Sequence, residues 1–289
     1  MEKKVERQKR VAAIHDISGF GKCSLTVALP ILSAAGIETA VMPTAVLSTH
    51  TGGISGYTYR DLTEDMTSFA GHWKSLDIKF DALYSGFLGS FEQLNIVEKI
   101  FDCFRETGNI VYVDPVMADN GELYKIFPQE FPSGMRKLCK KADIVVPNIT
   151  EAALLVDEPY RDGPYDKKYI ESLLVKISDI GPEKIVLTGV FFDSKELGAA
   201  TYDRTTGEIA YGFANRIPGY FHGTGDVFGS ALLAAYLNGF DLKTSAQIAV
   251  RYTAASIKRT FDAKTDIRFG VDFERSIPSL LKDLNIIQV

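Results

Sequence analysis

The feature that most constrains the fold is an apolar helix that follows directly on a short glycine motif. Residues Val227 to Leu237 are apolar at nearly every position, and a helix that is apolar on most of its sides lies buried. The motif Gly223-Thr224-Gly225-Asp226 opens it, so the N–H groups of the first turn need partners in the interior. Glycines let a ligand approach the backbone closely, and the helix dipole favours negative charge there. The sequence therefore predicts an anion site suited to phosphate.

Asp226 is an acidic residue at a site that should bind an anion, and two interpretations of it remain open at this point. Aspartate is a favoured N-cap, because its carboxylate accepts hydrogen bonds from the first turn of a helix. Alternatively, Asp226 is a general base held beside a phosphoryl group in transfer. The local pattern alone favours the cap, since capping aspartates are common at such positions.

Composition limits the class of protein. The 289 residues are 46% hydrophobic and 24% charged, which suffices for a large core, and α/β folds of this length often form one domain. The net charge of −5 without a basic patch argues against nucleic acid as a partner. Three widely spaced cysteines, Cys23, Cys103 and Cys139, predict neither a disulfide framework nor a zinc site and fit a reducing, cytoplasmic location.

The chain shows no sign of a membrane segment or of a secretory signal. No apolar run reaches the ~18 residues of a membrane span, so no membrane partner is expected. The first ten residues, MEKKVERQKR, carry charge, and no apolar stretch of the signal-peptide kind follows them. Residues 1–10 are therefore predicted to be a charged, solvated tail, and residues 11–289 a single domain.

Strand-like and helix-like segments alternate along the chain. The predicted strands are residues 11–17, 39–47, 80–87, 110–113, 143–146 and 184–190, with a hairpin over 198–202 and 208–213. The predicted helices are residues 23–35, 64–76, 91–106, 167–180, 226–238 and 243–260. Most of the strands are short and apolar, as in a parallel sheet that is buried on both faces. The pattern predicts an α/β fold with a central, mostly parallel sheet covered by helices on both faces.

Polar residues recur where the predicted strands end. In open α/β sheets ligands bind outside the carboxyl ends of the strands, so these clusters are candidate site residues. They are His15-Asp16, residues 48–53, Ser85-Gly86, Asp114-Pro115, Asn148 with Glu151, and Thr188-Gly189.

Common phosphate-binding and hydrolase motifs are missing from the sequence. In a Walker A loop Ser or Thr follows Gly-Lys, but Cys23 follows Gly21-Lys22 here. A dinucleotide fingerprint that starts at Gly19 needs its third glycine where Ser24 stands. His-x-x-His and Cys-x-x-Cys pairs and the Gly-x-Ser-x-Gly motif do not occur, so zinc and serine hydrolases lack their motifs.

Five motifs in series resemble those of the pyridoxal and pyridoxamine kinases, a family of the ribokinase-like superfamily. They are HDISGFG at residues 15–21, PTAVLSTHTG at 43–52, VDPV at 113–116, VPNITE at 146–151 and the glycine motif itself. The resemblance spans about residues 11 to 260, in order. The neighbouring hydroxymethylpyrimidine kinases usually have cysteine in place of the aspartate of the glycine motif, so Asp226 favours the pyridoxal side.

The resemblance implies transfer of the γ-phosphoryl group of ATP to the 5′-hydroxyl of pyridoxal, pyridoxamine or pyridoxine. Asp226 would be the general base that accepts the hydroxyl proton, and this chemistry favours the base over the cap. The N–H groups of Gly223, Thr224 and Gly225 would stabilise negative charge on the phosphoryl group.

Two carboxylates are implied in metal binding. The resemblance assigns Asp114 and Glu151 to Mg²⁺, directly or through its waters. Each also has a structural interpretation: Asp114 as a turn residue before Pro115, and Glu151 as an acidic residue in the first turn of a helix. K⁺ assists some relatives, which makes it a further candidate cofactor.

The remaining nucleotide contacts are also implied by the resemblance. Asn148 would contact the phosphates, and Thr188 would lie near the nucleotide. Asp119 and Tyr124 fall in a segment that covers ATP in relatives. Residues 118–122 are short, polar and contain a glycine, which is typical of a mobile flap.

The substrate pocket would be lined from the N-terminal half of the chain. The resemblance places Asp16 or Ser18 near the pyridine nitrogen and the 3-hydroxyl, where a carboxylate can hold the protonated ring. Thr44 would lie at the polar edge of the ring. His50 would lie beside the ring substituents, with a structural histidine bound to backbone as the alternative.

Two candidate substrate contacts depart from the family pattern. Phe87 stands where many pyridoxal kinases have tyrosine, so ring stacking is kept and a hydroxyl is lost, which leaves the vitamer preference open. His222 stands where many have an aliphatic residue. It either borders the reaction centre and tunes specificity or is a solvated loop residue.

Three functions remain open: a pyridoxal or pyridoxamine kinase, another superfamily kinase acting on hydroxymethylpyrimidine or a sugar, and a non-catalytic carrier of pyridoxal phosphate. Asp226, Thr44 and residues 15–21 favour the first, and a carrier would not need base and metal carboxylates together. The expected partners are small molecules and a second copy of the chain, because relatives are commonly dimers and pairing would cover an exposed sheet edge.

Overall fold

A nine-stranded sheet forms the centre of the computed structural model, which describes residues 7–288. Its strands and those of a small separate hairpin are β1 (Arg10–Phe20), β2 (Glu38–Thr49), β3 (Tyr59–Asp61), β4 (Ala82–Ser85), β5 (Ile110–Val113), β6 (Ala118–Asp119), β7 (Glu122–Leu123), β8 (Ile144–Val145), β9 (Lys184–Val190), β10 (Glu196–Asp203) and β11 (Glu208–Asn215). The order across the sheet is β11-β10-β9-β8-β5-β4-β1-β2-β3, and β6 pairs with β7 alone.

The middle of the sheet is parallel and its two edges are antiparallel. β1 pairs in parallel with β2 and β4, and the parallel pairing continues through β5, β8 and β9. β3 lies antiparallel on β2 at one edge, and β10 and β11 lie antiparallel beyond β9 at the other. The carboxyl ends of the six parallel strands therefore meet at one side of the sheet, where the polar clusters of the sequence were predicted to form a site.

Helices cover both faces of the sheet. They are α1 (Leu25–Ala34), α2 (Thr63–Ser75), α3 (Phe91–Phe104), α4 (Phe131–Cys139), α5 (Ile149–Leu155), α6 (Lys167–Ile180), α7 (Thr224–Leu237), α8 (Leu242–Ala263) and α9 (Ile277–Asp283). Residues of α1, α7, α8 and α9 share one hydrophobic core, and residues of α2 to α6 build the core on the opposite face.

Strand β9 shows why the strands are apolar at successive positions. Ile185 and Leu187 pack with α6 on one face, whereas Val186 between them packs with α7 and α8 on the other. Successive side chains of a strand point to opposite faces, so a sheet with two covered faces buries all three. The predicted fold class, a single α/β domain with a mostly parallel sheet covered on both faces, is confirmed.

Helix α7 is buried along most of its length, as its composition predicted. Every residue from Val227 to Ala235 is buried, between α1 and α8 and against the sheet. The buried position fixes the N-terminal end of α7 at the carboxyl side of the central strands. The glycine motif is thereby placed beside the strand-end residues.

Several elements differ from the predictions. The short strands β3, β6 and β7 and the helices α4, α5 and α9 were not predicted as elements. Strands of two or three residues are too short to show periodicity. Helix α4 contains Pro132 and Gly134, and both residue types have low helix propensity, although proline is tolerated in a first turn. The segment predicted as a flap forms the β6–β7 hairpin.

The predicted tail, residues 1–10, lies mostly outside the described residues. Within the described part, Arg10 is the first residue of β1, and the Arg7 guanidinium donates to both carboxylate oxygens of Asp81, at 3.0 and 2.9 Å. Across residues 7–288, the helices are all too short or too polar to cross a membrane.

Candidate active site

The glycine motif forms a helix N-terminus that no side chain caps. Gly223 is the N-cap of α7 and adopts a left-handed conformation with φ 71°. A Cβ atom at Gly223 would lie 1.9 Å from the carbonyl oxygen of Lys22, so only glycine fits there. A Cβ atom at Gly225 would meet no other atom within 4 Å, because this side of the turn faces open space. The first-turn N–H groups therefore remain available to an anion.

Asp226 lies in the first turn of α7 and does not cap it. No side chain forms a cap hydrogen bond at this helix, so the capping interpretation is wrong. Burial raises the pKa of the Asp226 carboxyl to about 7, the backbone N–H of Ser24 opposes that rise, and the charge of Asp16 adds to it. A carboxylate with a pKa near 7 is suited to general-base catalysis at neutral pH.

Asp16 lies close to Asp226 and is held by two serine hydroxyls. The hydroxyl of Ser24 donates to Asp16 Oδ1 at 2.5 Å, and that of Ser18 donates to Oδ2 at 3.4 Å. Burial raises the pKa of the Asp16 carboxyl, and these two hydrogen bonds act against the rise. Both predicted residues are therefore at the site, but the Ser18 hydroxyl is directed to Asp16.

Asp114 follows β5 and is 6% exposed. Burial raises its pKa well above the ordinary value, and the nearby carboxylates of Glu151 and Asp226 raise it further. Gly229 of α7 lies beside it: an added Cβ atom there would be in ordinary contact with Asp114 Oδ2 at 3.6 Å, whereas it would lie only 2.9 Å from the Tyr84 hydroxyl. Three carboxylates thus lie near one another at low exposure, an arrangement that a bound cation would stabilise.

Glu151 and Asn148 form a capping box at the start of α5. The Asn148 side chain accepts from the Glu151 N–H at 2.9 Å, and Glu151 Oε2 accepts from the Asn148 N–H at 2.9 Å. The N–H of Met117 donates to the other oxygen, Oε1, at 3.1 Å, and the Asn148 amide donates to the Ala118 carbonyl at 2.9 Å. Glu151 thereby joins α5 to the segment after Asp114. Burial raises its pKa to about 8, against the effect of these hydrogen bonds.

The donor set fits Mg²⁺ bound through few protein ligands. In the part of the chain that the structure describes, no three His, Cys, Asp or Glu side chains converge closely enough to hold a metal ion. Mg²⁺ is commonly held by one or two carboxylates, with waters and phosphate oxygens completing its coordination. Asp114 is the better direct ligand, since both oxygens of Glu151 already accept backbone hydrogen bonds, and Glu151 would act through water.

Replacement of Glu151 should lower stability as well as activity. In Glu151→Ala the N–H groups of Met117 and Asn148 lose their acceptor, and we expect the free energy of unfolding to fall by about 2–4 kcal/mol. Glu151→Gln keeps the shape and one acceptor oxygen and should lose less. Urea unfolding of the three proteins measures the difference. Wild-type stability of Glu151→Ala would contradict the structural role.

The β6–β7 hairpin lies against these carboxylates and contains Asp119. The phenol of Tyr220 donates to Asp119 Oδ2 at 2.5 Å, and the charge of Asp119 contributes to the raised pKa of Glu151. Tyr124 follows the hairpin, and its N–H donates to the Met117 carbonyl at 2.9 Å. Thr188 lies at the other side of Asn148, to which it is joined by a β-bridge. All the residues predicted on the nucleotide side thus lie around the start of α5.

Thr44 and His50 lie on the other side of Asp16 from the residues predicted to contact the nucleotide. Thr44 is 1% exposed, and within the described residues its hydroxyl has no hydrogen-bond partner. His50 differs, because both of its ring nitrogens contact backbone: Nδ1 accepts from the Gly52 N–H at 3.1 Å, and Nε2 lies 2.5 Å from the Arg268 carbonyl oxygen. A carbonyl only accepts, so Nε2 carries the proton. These contacts support the structural interpretation of His50.

The two positions that depart from the family pattern are both partly buried. The Phe87 ring packs against Phe127, with ring centroids 5.8 Å apart. His222 lies between His50 and Tyr220, with centroid separations of 5.3 and 5.0 Å. Burial lowers the pKa of His222, and proximity to His50 lowers it further. His222 is therefore a partly buried residue of the turn before α7, packed between two aromatic rings.

Two residues at the site were not singled out from the sequence. Ser24 has a positive φ of 55° and contacts both Asp16 and Asp226, but in the sequence it only breaks a dinucleotide motif. Tyr220 reaches Asp119 from a position 101 residues further along the chain. No local pattern reports such contacts. The Asn-x-x-Glu spacing of the capping box, in contrast, is a signal that the sequence does contain.

Comparison with known proteins places the chain in a family. The sequence model of phosphomethylpyrimidine kinase matches residues 29–269. A Bacteroides thetaiotaomicron protein assigned to the phosphomethylpyrimidine kinases has a crystal structure with TM-score 0.92 and 35% identity, covering 99% of this chain and 96% of that one. An orthorhombic form of that protein was solved with pyridoxal.

Two pyridoxal kinases are also similar to the chain. The structure of the Lactobacillus plantarum enzyme has TM-score 0.87 and 30% identity and covers 96% of this chain and 98% of that one. The Arabidopsis thaliana enzyme is 27% identical over 268 residues, 86% of this chain and 80% of its own. With the family match and the ribokinase-like sheet, these similarities show that the chain belongs to the phosphomethylpyrimidine and pyridoxal kinase family.

Proposed function

We propose that this protein transfers the γ-phosphoryl group of ATP to the 5′-hydroxyl of pyridoxal, pyridoxamine or pyridoxine. The observation that carries the proposal is the position of Asp226, in the first turn of an uncapped helix, with a pKa raised to about 7 by burial. The similarity to pyridoxal kinases and the pyridoxal complex of the Bacteroides relative support a B6 vitamer as the acceptor.

In the proposed reaction the 5′-hydroxyl oxygen attacks the γ-phosphorus while its proton passes to the Asp226 carboxylate. The bond to the β,γ-bridging oxygen breaks, and ADP leaves. The N–H groups at Gly223 to Gly225 and the dipole of α7 stabilise the charge on the transferring group. Mg²⁺, when bound, would neutralise phosphate charge beside Asp114, with Glu151 acting through water.

The vitamer would bind on the Asp16 side of Asp226. The Asp16 carboxylate and the buried Thr44 hydroxyl, which has no hydrogen-bond partner among residues 7–288, supply polar contacts, and Phe87 supplies an aromatic face. A carboxylate is suited to a protonated pyridine nitrogen. K⁺ stays a candidate cofactor, and the homodimer and the cytoplasmic location stay predictions. All three residues of the edge strand β3 are exposed, and we propose that a second copy of the chain would cover this edge.

A second candidate substrate is hydroxymethylpyrimidine, because the matching family model describes phosphomethylpyrimidine kinases. Both acceptors present a hydroxymethyl group on a nitrogen heteroaromatic ring, so the proposed chemistry would be unchanged. The two are distinguished by kcat/KM with ATP and Mg²⁺ for pyridoxal, pyridoxamine, pyridoxine and hydroxymethylpyrimidine. We expect the highest value for a B6 vitamer. A higher value for the pyrimidine would keep the mechanism and change the substrate.

The activity should depend on the ionisation of Asp226. Its carboxylate form accepts the proton, and burial raises its pKa to about 7, so the active fraction falls as the pH drops below 7. We expect kcat/KM to fall about tenfold per pH unit on the acid side. The measurement is kcat/KM between pH 5 and 9 with structure monitored by circular dichroism. A flat profile down to pH 5 in folded enzyme would contradict the assignment.

A further inference from the structure

Tyr220 joins two segments that flank the candidate phosphate site. It lies three residues before Gly223, in the approach to α7. Its hydroxyl donates to Asp119 Oδ2 at 2.5 Å, and Asp119 belongs to the β6–β7 hairpin. The contact therefore runs from the glycine motif to the hairpin that lies against Asp114 and Glu151.

The opposite side of the hairpin is fixed to α5. The Gly121 N–H donates to the Thr150 hydroxyl at 3.0 Å, and the Asn148 amide donates to the Ala118 carbonyl at 2.9 Å. The backbone of Gly121 lies close to Tyr160, since a Cβ atom there would be 2.7 Å from the ring. The hairpin is thus attached on the α5 side by several contacts and on the α7 side through the Tyr220 phenol.

The Tyr220 ring is itself held in place. It makes an edge contact with His222 at a centroid separation of 5.0 Å, and His222 packs against His50 at 5.3 Å. Tyr220 is 48% exposed, and its partial burial together with the hydrogen bond to Asp119 raises the pKa of the phenol, so the hydroxyl stays a donor at neutral pH. A phenol with two torsions, fixed by a ring contact, loses little entropy in forming this bond.

We propose that Tyr220 is a positioning residue that holds the β6–β7 hairpin closed over the phosphate groups of the bound nucleoside triphosphate. This inference rests on the proposed kinase function. Tyr220 acts through Asp119 and the hairpin and does not touch the reacting atoms. A closed hairpin retains the nucleotide and keeps water from the γ-phosphoryl group; without the phenol it opens more often.

Tyr220→Phe removes the hydroxyl and keeps the ring. We expect the KM for ATP and the Kd for ADP with Mg²⁺ to rise about three- to tenfold, with kcat for the vitamer within about twofold. Hydrolysis of ATP without vitamer should increase, and amide exchange at residues 118–123 should accelerate. The matched control is Tyr211→Phe, whose phenol donates to Glu171 at 3.0 Å on the outer strand β11 and should change none of these.

A double-mutant cycle with Asp119→Ala assigns the effect to the hydrogen bond. If the bond carries the effect, Tyr220→Phe adds almost nothing to the Kd for ADP in the Asp119→Ala background. Additive effects, or wild-type ADP affinity and amide exchange in Tyr220→Phe, would overturn the inference. ADP binding and amide exchange need no acceptor substrate. Failure of the wild type to phosphorylate any vitamer would therefore refute the proposed function and leave this test intact.

Discussion

Asp226→Asn should retain the fold and bind ATP and the vitamer about as tightly as the wild type, with kcat lower by about 10²- to 10⁴-fold. Asparagine has the shape of aspartate and cannot accept the hydroxyl proton. Stability should not fall, because Asp226 makes no cap hydrogen bond and its charge lies near the charges of Asp16 and Asp114. The measurement is kcat and KM for both substrates, together with the free energy of unfolding.

A matched control for this variant is an aspartate that does cap a helix. Asp241 Oδ1 accepts from the Thr244 N–H at 2.7 Å at the start of α8, at the far end of α7. Asp241→Ala should lower the free energy of unfolding by about 0.5–2 kcal/mol and leave kcat unchanged. Asp226→Asn is thus expected to lower kcat without a loss of stability, and Asp241→Ala to lower stability without a loss of kcat. More than a tenth of the wild-type kcat in Asp226→Asn would mean that another group accepts the proton.

Gly223→Ala should have the second-largest effect, on stability and activity together. The left-handed backbone costs a non-glycine residue about 1–2 kcal/mol. The new Cβ atom would also lie 1.9 Å from the Lys22 carbonyl oxygen, so backbone must shift, and overpacking of this kind costs about 1–3 kcal/mol. The shift moves the start of α7, and a displacement of about 1 Å at a reaction centre can lower activity about 10²-fold.

Substitutions at two other glycines separate the cost of the left-handed backbone from the cost of the close contact with Lys22. Gly207 has φ +72°, close to that of Gly223, and no atom within 4 Å of an added Cβ, so Gly207→Ala reports the backbone strain alone. Gly225 is not in the left-handed region and also has open space at its Cβ, so Gly225→Ala should keep full stability while narrowing the anion site. Urea unfolding and kcat/KM are measured for all three. An equal loss in the free energy of unfolding for Gly223→Ala and Gly207→Ala would show that the close contact with Lys22 does not affect stability.

Elements with strong local signals were predictable from the sequence. The bounds predicted for the strands at residues 110–113 and 184–190 and for the helix at 167–180 agree with the structure. Apolar runs define these elements, and Gly181-Pro182 separates α6 from β9. The all-round apolar pattern of α7 likewise predicted its burial. The strand-end rule then predicted that Asp16, Asp114 and Glu151 would lie on the same side of the sheet.

Contacts between distant parts of the chain were not predictable. His50 contacts the backbone at Arg268, 218 residues away, so its structural role has no local signature. The positive φ of Ser24, which lets its hydroxyl reach Asp16, is a property of the folded loop. Helix α5 was missed because it is seven residues long, although its capping box is visible in the sequence. In each case tertiary structure, not local propensity, determines what the residue does.

The most direct test of the proposed function is identification of the phosphorylated product by ³¹P NMR after incubation of the protein with ATP, Mg²⁺ and pyridoxal. We predict that the wild type forms pyridoxal 5′-phosphate and ADP in equal amounts and that Asp226→Asn forms neither at a comparable rate. ADP without a phosphorylated vitamer, or phosphorylation of hydroxymethylpyrimidine only, would contradict the assignment of a B6 vitamer as the substrate.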